Sequence, residues 1–363
     1  MYIVTNRAIK EKGKSLKSVF LDHPNQKGPK ELRLVSVVRE DGRWKVDVID
    51  DEIARTDVEA LNRQYNLNLD LNKKYFGSLR VACELFDMAV NEGKSVLFFL
   101  HGFNNDITDI VKTAHELEKL YNVIVIPFSW PANGGGPISG TLAYLEDKSD
   151  ARVSVDAFNR FIGRIKDFHA MLTEGVRQET LAVANARHPD SPEMAGVLYA
   201  RLISDACVVK LSLLCHSMGN YLFKRTLSTS ETNADDLIFD NICLVAADTN
   251  REKHEDWVEK LDVNGSVYIV INENDYALKA SRIKPGKQQK VRLGHSTKRL
   301  NAENATYIDV TDASHVGNEH AYFKGDSVEE NNALRELFLY MFNGGSVEHM
   351  LEYRSSNNTH VLR

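Results

Sequence analysis

The sequence is poor in several features that would each have pointed to a function. Its four cysteines, Cys83, Cys207, Cys215 and Cys243, form no CxxC pair and no cluster with nearby histidines. Neither a disulfide framework nor a zinc site is expected, no metal or cofactor is implied, and a reducing cytoplasm is the default compartment. Basic surplus is missing too: 45 Lys and Arg stand against 51 Asp and Glu, a net charge of −6. The electrostatic footprint of a nucleic-acid binder is therefore absent. No stretch approaches the ~18 apolar residues of a membrane span. Tyr2, Ile3 and Val4 make too short an apolar start for a signal-peptide core. There is no internal repeat and no low-complexity tract.

What is present is an ordinary globular composition over 363 residues, 43% hydrophobic and 26% charged. That length suits one large α/β domain with insertions or two ordinary domains. Near the start, Leu32, Leu34 and Val38 alternate with polar residues, Asp41-Gly42 makes a turn, and Trp44, Val46 and Val48 alternate again. This is the pattern of a hairpin with one buried face, and residues 1–77 are expected to form a β-rich N-terminal elaboration. From Ser78, a plausible N-cap, to Gly93 the apolar residues recur at helical spacing.

The pattern then becomes apolar strands alternating with helical stretches. Short apolar runs lie at 95–100, 123–128, 208–214, 242–247, 266–271 and 307–310, and an amphipathic segment at 328–342 ends the series. Such alternation predicts an α/β fold with a mainly parallel sheet flanked by helices. Between Pro131 and Asp205 no strand is apparent. A glycine-rich loop (Gly134, Gly135, Gly136) and a helical stripe through Phe158, Ile162 and Ile165 read as a helical insertion or cap, or as a long crossover.

The chemistry concentrates in four places. Leu211 to Leu214 is an apolar strand that runs through Cys215-His216-Ser217-Met218-Gly219 into a helix, the pattern of a nucleophile elbow. Small residues two before and two after the serine let the backbones pass, and the hydroxyl is thrust above the sheet edge. Cys215 fills the first small position and reads as a buried filler. His216 reads as structural. The second place is Leu100-His101-Gly102-Phe103-Asn104-Asn105, after an earlier strand. An oxyanion hole needs two convergent backbone N–H groups, one after the nucleophile and one from this loop, so Met218 and Phe103 are the expected donors. Gly102 lets the backbone approach a substrate carbonyl, His101 hydrogen-bonds beneath the loop, and Asn104 caps or contacts substrate. Trp130 either borders the pocket or belongs to the core.

A serine needs a histidine to take its proton and a carboxylate to orient that histidine. Asp275, in the loop after the strand at 267–271, is the first candidate for the acid, with Asp248 after the preceding strand as the alternative. His320 is the first candidate for the base and His315 the alternative. The remaining histidines, His360 among them, read as surface residues.

These blocks, taken with Thr5-Asn6-Arg7, Phe128-Ser129-Trp130-Pro131, Tyr144 and Asp147 opening a helix, Ala246 to Asp248, Asn274 to Ser281, Arg292-Leu293-Gly294 and His320 to Phe323, resemble a family of uncharacterised bacterial α/β-hydrolases. The resemblance implies an α/β-hydrolase fold over most of the chain and a triad of Ser217, Asp275 and His320. It also marks Cys215, where a small aliphatic residue is usual, and an enlargement at about 173–200 as departures that bear on substrate. The expected function is a serine hydrolase acting on a small-molecule ester, thioester or amide. The alternatives are an acyltransferase or peptidase with the same triad, or a catalytically silent binding protein on the same fold.

Overall fold

The computed structural model describes residues 1–28, 30–132, 140–205, 209–229, 237–283 and 290–362. The expected glycine loop at 134–136, Cys207 and the side chain of Tyr144 lie outside what is described. The chain divides into two compact units. The first comprises Met1–Val48, Ser95–Phe161 and Lys210–Arg363, the second Ile49–Lys94 and Ile162–Val209. The segment read as one insertion, 131–205, contributes to both.

The strands are β1 (Tyr2–Thr5), β2 (Arg7–Ile9), β3 (Phe20–Pro24), β4 (Arg33–Glu40), β5 (Arg43–Val48), β6 (Val96–Leu100), β7 (Ile124–Ser129), β8 (Leu211–His216), β9 (Asn241–Val245), β10 (Ser266–Ile271), β11 (Ala305–Asp309), β12 (Leu351–Arg354) and β13 (Thr359–Leu362). All lie in the first unit. Its helices are α1 (Leu16–Val19), α4 (Ile107–Tyr121), α5 (Gly140–Val153), α8 (Gly219–Leu227), α9 (Glu255–Val258), α10 (Tyr276–Ile283), α11 (Asp326–Glu329) and α12 (Asn332–Phe342). The second unit is helical: α2 (Arg55–Tyr65), α3 (Gly77–Glu92) and α7 (Pro192–Asp205), with α6 (Val155–Arg187) contributing to both units.

Eleven strands form one sheet in the order β12-β13-β11-β10-β9-β8-β6-β7-β1-β4-β5. From β13 to β1 every pairing is parallel; only the edges, β12 and the β4–β5 hairpin, are antiparallel. The mainly parallel sheet read from the sequence is therefore the observed one. Two things enlarge it: β1, which sits between β7 and β4, and the short polar strands β12 and β13 at the far edge. His360 lies half-buried in β13, not on the open surface.

Central strands bury both faces, which is why they read as continuous apolar runs. One face of β6, through Leu97 and Phe99, joins a core with Ala114, Leu117 and Tyr121 of α4 and Leu337, Phe338 and Met341 of α12. On the other face Phe98 packs edge-on against Phe161 and Phe239. Each such side chain contributes roughly 1.5–3 kcal/mol by leaving water.

Two local expectations are corrected. The buried face of the hairpin is Val35, Val37 and Val46, with Val37 paired to Val46, whereas Val38 is 44% exposed. The alternation carries apolar residues on both phases there, so periodicity alone chose the wrong one. α3 is capped by Phe76, one residue before Gly77, not by Ser78. A Cβ on Gly77 would stand 2.4 Å from the Asp50 carbonyl oxygen, so close backbone packing sets the start. Among the described residues no helix is long and apolar enough to cross a membrane.

The strand registers position the site. Leu100 pairs with Cys215, His216 with Val245, Val245 with Val270 and Ile271 with Asp309. The segments that follow β6, β7, β8, β9, β10 and β11 therefore leave the sheet at one common end of the strands, and every candidate residue is on one of them.

Candidate active site

At the end of β8 the chain turns abruptly into α8. Ser217 has φ +53°, in the left-handed region that a side chain disfavours, and it keeps this conformation because its neighbours over-determine it. Its N–H donates to the Val245 carbonyl (3.1 Å) and its carbonyl accepts from the Asp248 N–H (3.1 Å). The Asn220 side-chain amide donates to the Cys215 carbonyl (2.9 Å) and to that of Ser217 (3.2 Å). Gly219 is required by the crossing: a Cβ there would stand 2.4 Å from the Leu100 carbonyl oxygen. Gly219→Ala is expected to cost about 1–3 kcal/mol by overpacking, measured as a lowered denaturant midpoint at unchanged m. Cys215 is fully buried, and burial pushes its thiol well above the ordinary range, so it stays protonated as a filler.

His320 is held from two sides. Its Nδ1–H donates to Oδ2 of Asp275 at 2.7 Å. The other oxygen, Oδ1, caps α10 by accepting from the N–H groups of Ala277 and Leu278, each at 2.9 Å. Asp275 is 0% exposed and thus fixed by three bonds at a helix N-terminus, whose dipole favours its charge. With Nδ1 committed to the acid, Nε2 of His320 is the nitrogen left for a reacting group. Against the elbow, His216 Nε2–H donates to the His320 carbonyl (3.2 Å), and the two rings are 4.6 Å apart. Burial lowers the His216 pKa well below its ordinary value, so it is a neutral prop. The Asn272 side-chain amide donates to the carbonyls of Gly317 and Glu319, both at 3.1 Å, and so ties down the loop that carries His320.

The alternative acid is engaged elsewhere, and the alternative base is exposed. Asp248 Oδ1 forms a buried ion pair with Arg292 Nε at 2.8 Å and also accepts from the Ser281 hydroxyl at 3.2 Å. Arg292 donates further to Asn250 Oδ1 (2.8 Å). Three of the motif blocks, those around Asp248, Ser281 and Arg292, thus meet in one structural network. A Cβ on Gly294 would come within 2.2 Å of the Ala247 amide nitrogen, so this segment packs directly against the chain after β9. His315 is exposed with φ +63°, and its carbonyl accepts from Ser327.

The loop after β6 is built to be rigid. A Cβ on Gly102 would lie 2.7 Å from Ser217 Cβ and 3.2 Å from its hydroxyl oxygen, so this backbone touches the serine directly. Asn104, at φ +59°, donates its N–H to Asp147 Oδ2 (3.1 Å). The Asn105 side chain donates to the carbonyls of Phe103 (2.8 Å) and Gly102 (3.2 Å). Beneath the loop, fully buried Arg7 donates from Nη2 to the carbonyls of Asn105 (3.4 Å) and Ala132 (3.3 Å), and from Nε to Ser129 (3.0 Å). Burial brings the Arg7 pKa down to about 10, with Asp22 and Asp147 among the acids opposing the shift. Asp147 lies inside α5 and does not open it.

His101 and Trp130 are both 0% exposed, so His101 lies beneath the loop and, of the two places open to it, Trp130 takes the core. Their rings stack at 5.0 Å. The Trp130 N–H donates to His101 Nε2 (3.2 Å), His101 Nδ1–H to the Gly102 carbonyl (3.0 Å), and the Trp130 indole N–H to the His101 carbonyl (3.1 Å). Burial, then Arg7, brings the His101 pKa down to about 3. A folded-state pKa below the unfolded value of 6.5 makes the folded form bind fewer protons. Stability is then complete above pH 6.5 and falls toward pH 3 at about 1.4 kcal/mol per pH unit. Chemical denaturation from pH 7 to 4 should show a shallower loss in His101→Gln than in the wild type; parallel slopes would contradict this.

Sequence reasoning missed the bracing roles of Arg7 and Asp147, the Asp248–Arg292 pair and Tyr276. Tyr276 is 57% exposed, its ring 6.4 Å from that of His320. An aromatic directly after the candidate acid was the available signal.

Residues 83–171 and 192–336 match the family described as alpha/beta hydrolase of unknown function (DUF900). Curated proteins and solved structures give no match.

Proposed function

The chain belongs to this α/β-hydrolase family of unknown function, and from that premise we propose that it is a serine hydrolase cleaving a small-molecule ester, thioester or amide through an acyl-enzyme. The observation that carries the reading is the 2.7 Å bond from His320 Nδ1–H to buried Asp275, with His320 seated against the elbow of Ser217. In the proposed cycle Ser217 Oγ attacks the substrate carbonyl carbon while His320 Nε2 takes its proton. Asp275 holds the tautomer and stabilises the imidazolium. The N–H groups of Met218 and Phe103 donate hydrogen bonds to the carbonyl oxygen as negative charge develops on it. His320 returns the proton to the leaving group, and water, deprotonated by the same nitrogen, then releases the acid.

Two features support the oxyanion assignment. Gly102 is in contact with Ser217, and the flanking backbone is fixed by Asp147 and Arg7. The free, buried Cys83, Cys215 and Cys243 accord with a reducing compartment.

The test is pre-steady-state hydrolysis of p-nitrophenyl acetate. An acyl-enzyme predicts a burst of p-nitrophenol close to one equivalent per chain, followed by slower turnover. Absence of turnover by well-folded protein on esters and thioesters would favour the binding-protein reading.

A further inference from the structure

On α5 and on α8, the helix that follows the elbow, four cations gather: Lys148, Arg152, Lys224 and Arg225. Tyr221, in the first turn of α8 directly after the elbow, accepts hydrogen bonds at its phenol oxygen from Arg152 Nε (3.0 Å) and Arg225 Nε (3.3 Å). Lys148 lies over its ring at 5.1 Å and Arg225 at 5.5 Å. Lys224, the neighbour of Arg225, stands over Trp257 at 5.6 Å. Among the described residues none of these four cations forms an ion pair with a carboxylate; on Lys224, burial and then Arg225 outweigh the opposing charge of Asp256 and lower its pKa.

Like charges gathered in this way repel, and a chain of net charge −6 does not gather them through a general excess of base. Their placement is also ordered. α5 touches the loop after β6 through Asp147 on Asn104, and the next residue along it, Lys148, and Arg152 one turn on, reach Tyr221. Both guanidinium groups are oriented by a single shared acceptor through Nε. This pre-organises them and leaves their terminal nitrogens, the planar fork that suits carboxylate and phosphate, available to a ligand. The phenol, having accepted two bonds, still has its O–H to donate. Burial raises its pKa, but the two arginines outweigh burial and lower it, which strengthens it as a donor.

We propose that Arg152, Arg225, Lys148 and Tyr221 bind an anionic group, carboxylate or phosphate, carried by the ester whose carbonyl is attacked by Ser217. This rests on the serine-hydrolase reading and narrows its substrate class to anionic acyl compounds.

The test compares p-nitrophenyl hemisuccinate with the neutral p-nitrophenyl butyrate. The wild type should prefer the hemisuccinate in kcat/KM. That preference should fall about tenfold in the R152Q/R225Q double variant, the scale of losing charge-assisted hydrogen bonds at a solvated site, and should shrink as salt is added. A wild type with no preference, or a preference that the double variant keeps, overturns the proposal. Inorganic phosphate supplies a readout that needs no turnover. It should raise the Tm of Ser217→Ala but not of that variant carrying R152Q and R225Q as well, and no rise overturns the anion site whatever the enzyme hydrolyses. If neither ester is turned over while the phosphate shift is present, it is the hydrolase reading that fails, and the substrate proposal with it.

Discussion

Ser217→Ala is expected to lower kcat toward p-nitrophenyl esters by about 10⁴- to 10⁶-fold, as removal of a triad nucleophile does. The fold should be unaffected. The serine is 6% exposed, and its backbone is held by Val245, Asp248 and Asn220 through main-chain atoms that alanine keeps. Alanine also meets the same steric cost at φ +53°, so neither a gain nor a loss of stability should confuse the result. Far-UV circular dichroism and the denaturant midpoint check the fold; the ester assay checks the nucleophile. A variant that keeps even a tenth of the activity would move the chemistry away from this residue.

The second large effect separates two aspartates that sequence reasoning could rank but not resolve. Asp275→Asn should reduce kcat by about 10⁴-fold, because an amide in place of the carboxylate no longer imposes the tautomer in which Nε2 of His320 accepts a proton. Stability should change little, since asparagine caps a helix as well as aspartate does and can still accept from Ala277 and Leu278. Asp248→Ala should do the reverse. Asp248 and Arg292 are each 4% exposed at the side chain, and removing one partner strands a buried guanidinium, at a cost of about 3–5 kcal/mol. Activity per folded molecule should be largely kept. The opposite pattern, with catalysis lost at Asp248 and stability lost at Asp275, would reassign the acid.

The sequence was informative where the physics is local. The central strands bury both faces, so β6 appears as an uninterrupted apolar run, β10 as one after its leading Ser266, and β8 as one broken by Ser212. The turn at Ser217 needs small neighbours, and Gly219 shows why: its missing Cβ is the space through which the Leu100 carbonyl passes. What it did not disclose depends on partners distant along the chain. Arg7 was one letter of a motif until the passage from β1 into β2 placed it beneath the loop of Asn105, 98 residues away. Asp248 stood as the second candidate for the acid, and its buried pairing with Arg292, 44 residues later, is not legible in the sequence. Trp130 could have been pocket or core from its neighbours alone, and stacking on His101 decides for the core. The hairpin face was misread because Val35, Val37 and Val38 offer apolar residues on both phases, and only the side facing Val46 is covered. Strands β12 and β13 are short and polar, with too little periodicity to stand out.

The most direct measurement is the mass of the intact protein after reaction with a fluorophosphonate, followed by peptide mapping of the adduct. An activated serine predicts one adduct per chain, located on Ser217, formed quickly by the wild type and slowly by Asp275→Asn. No adduct, or an adduct on any residue other than Ser217, would contradict the account.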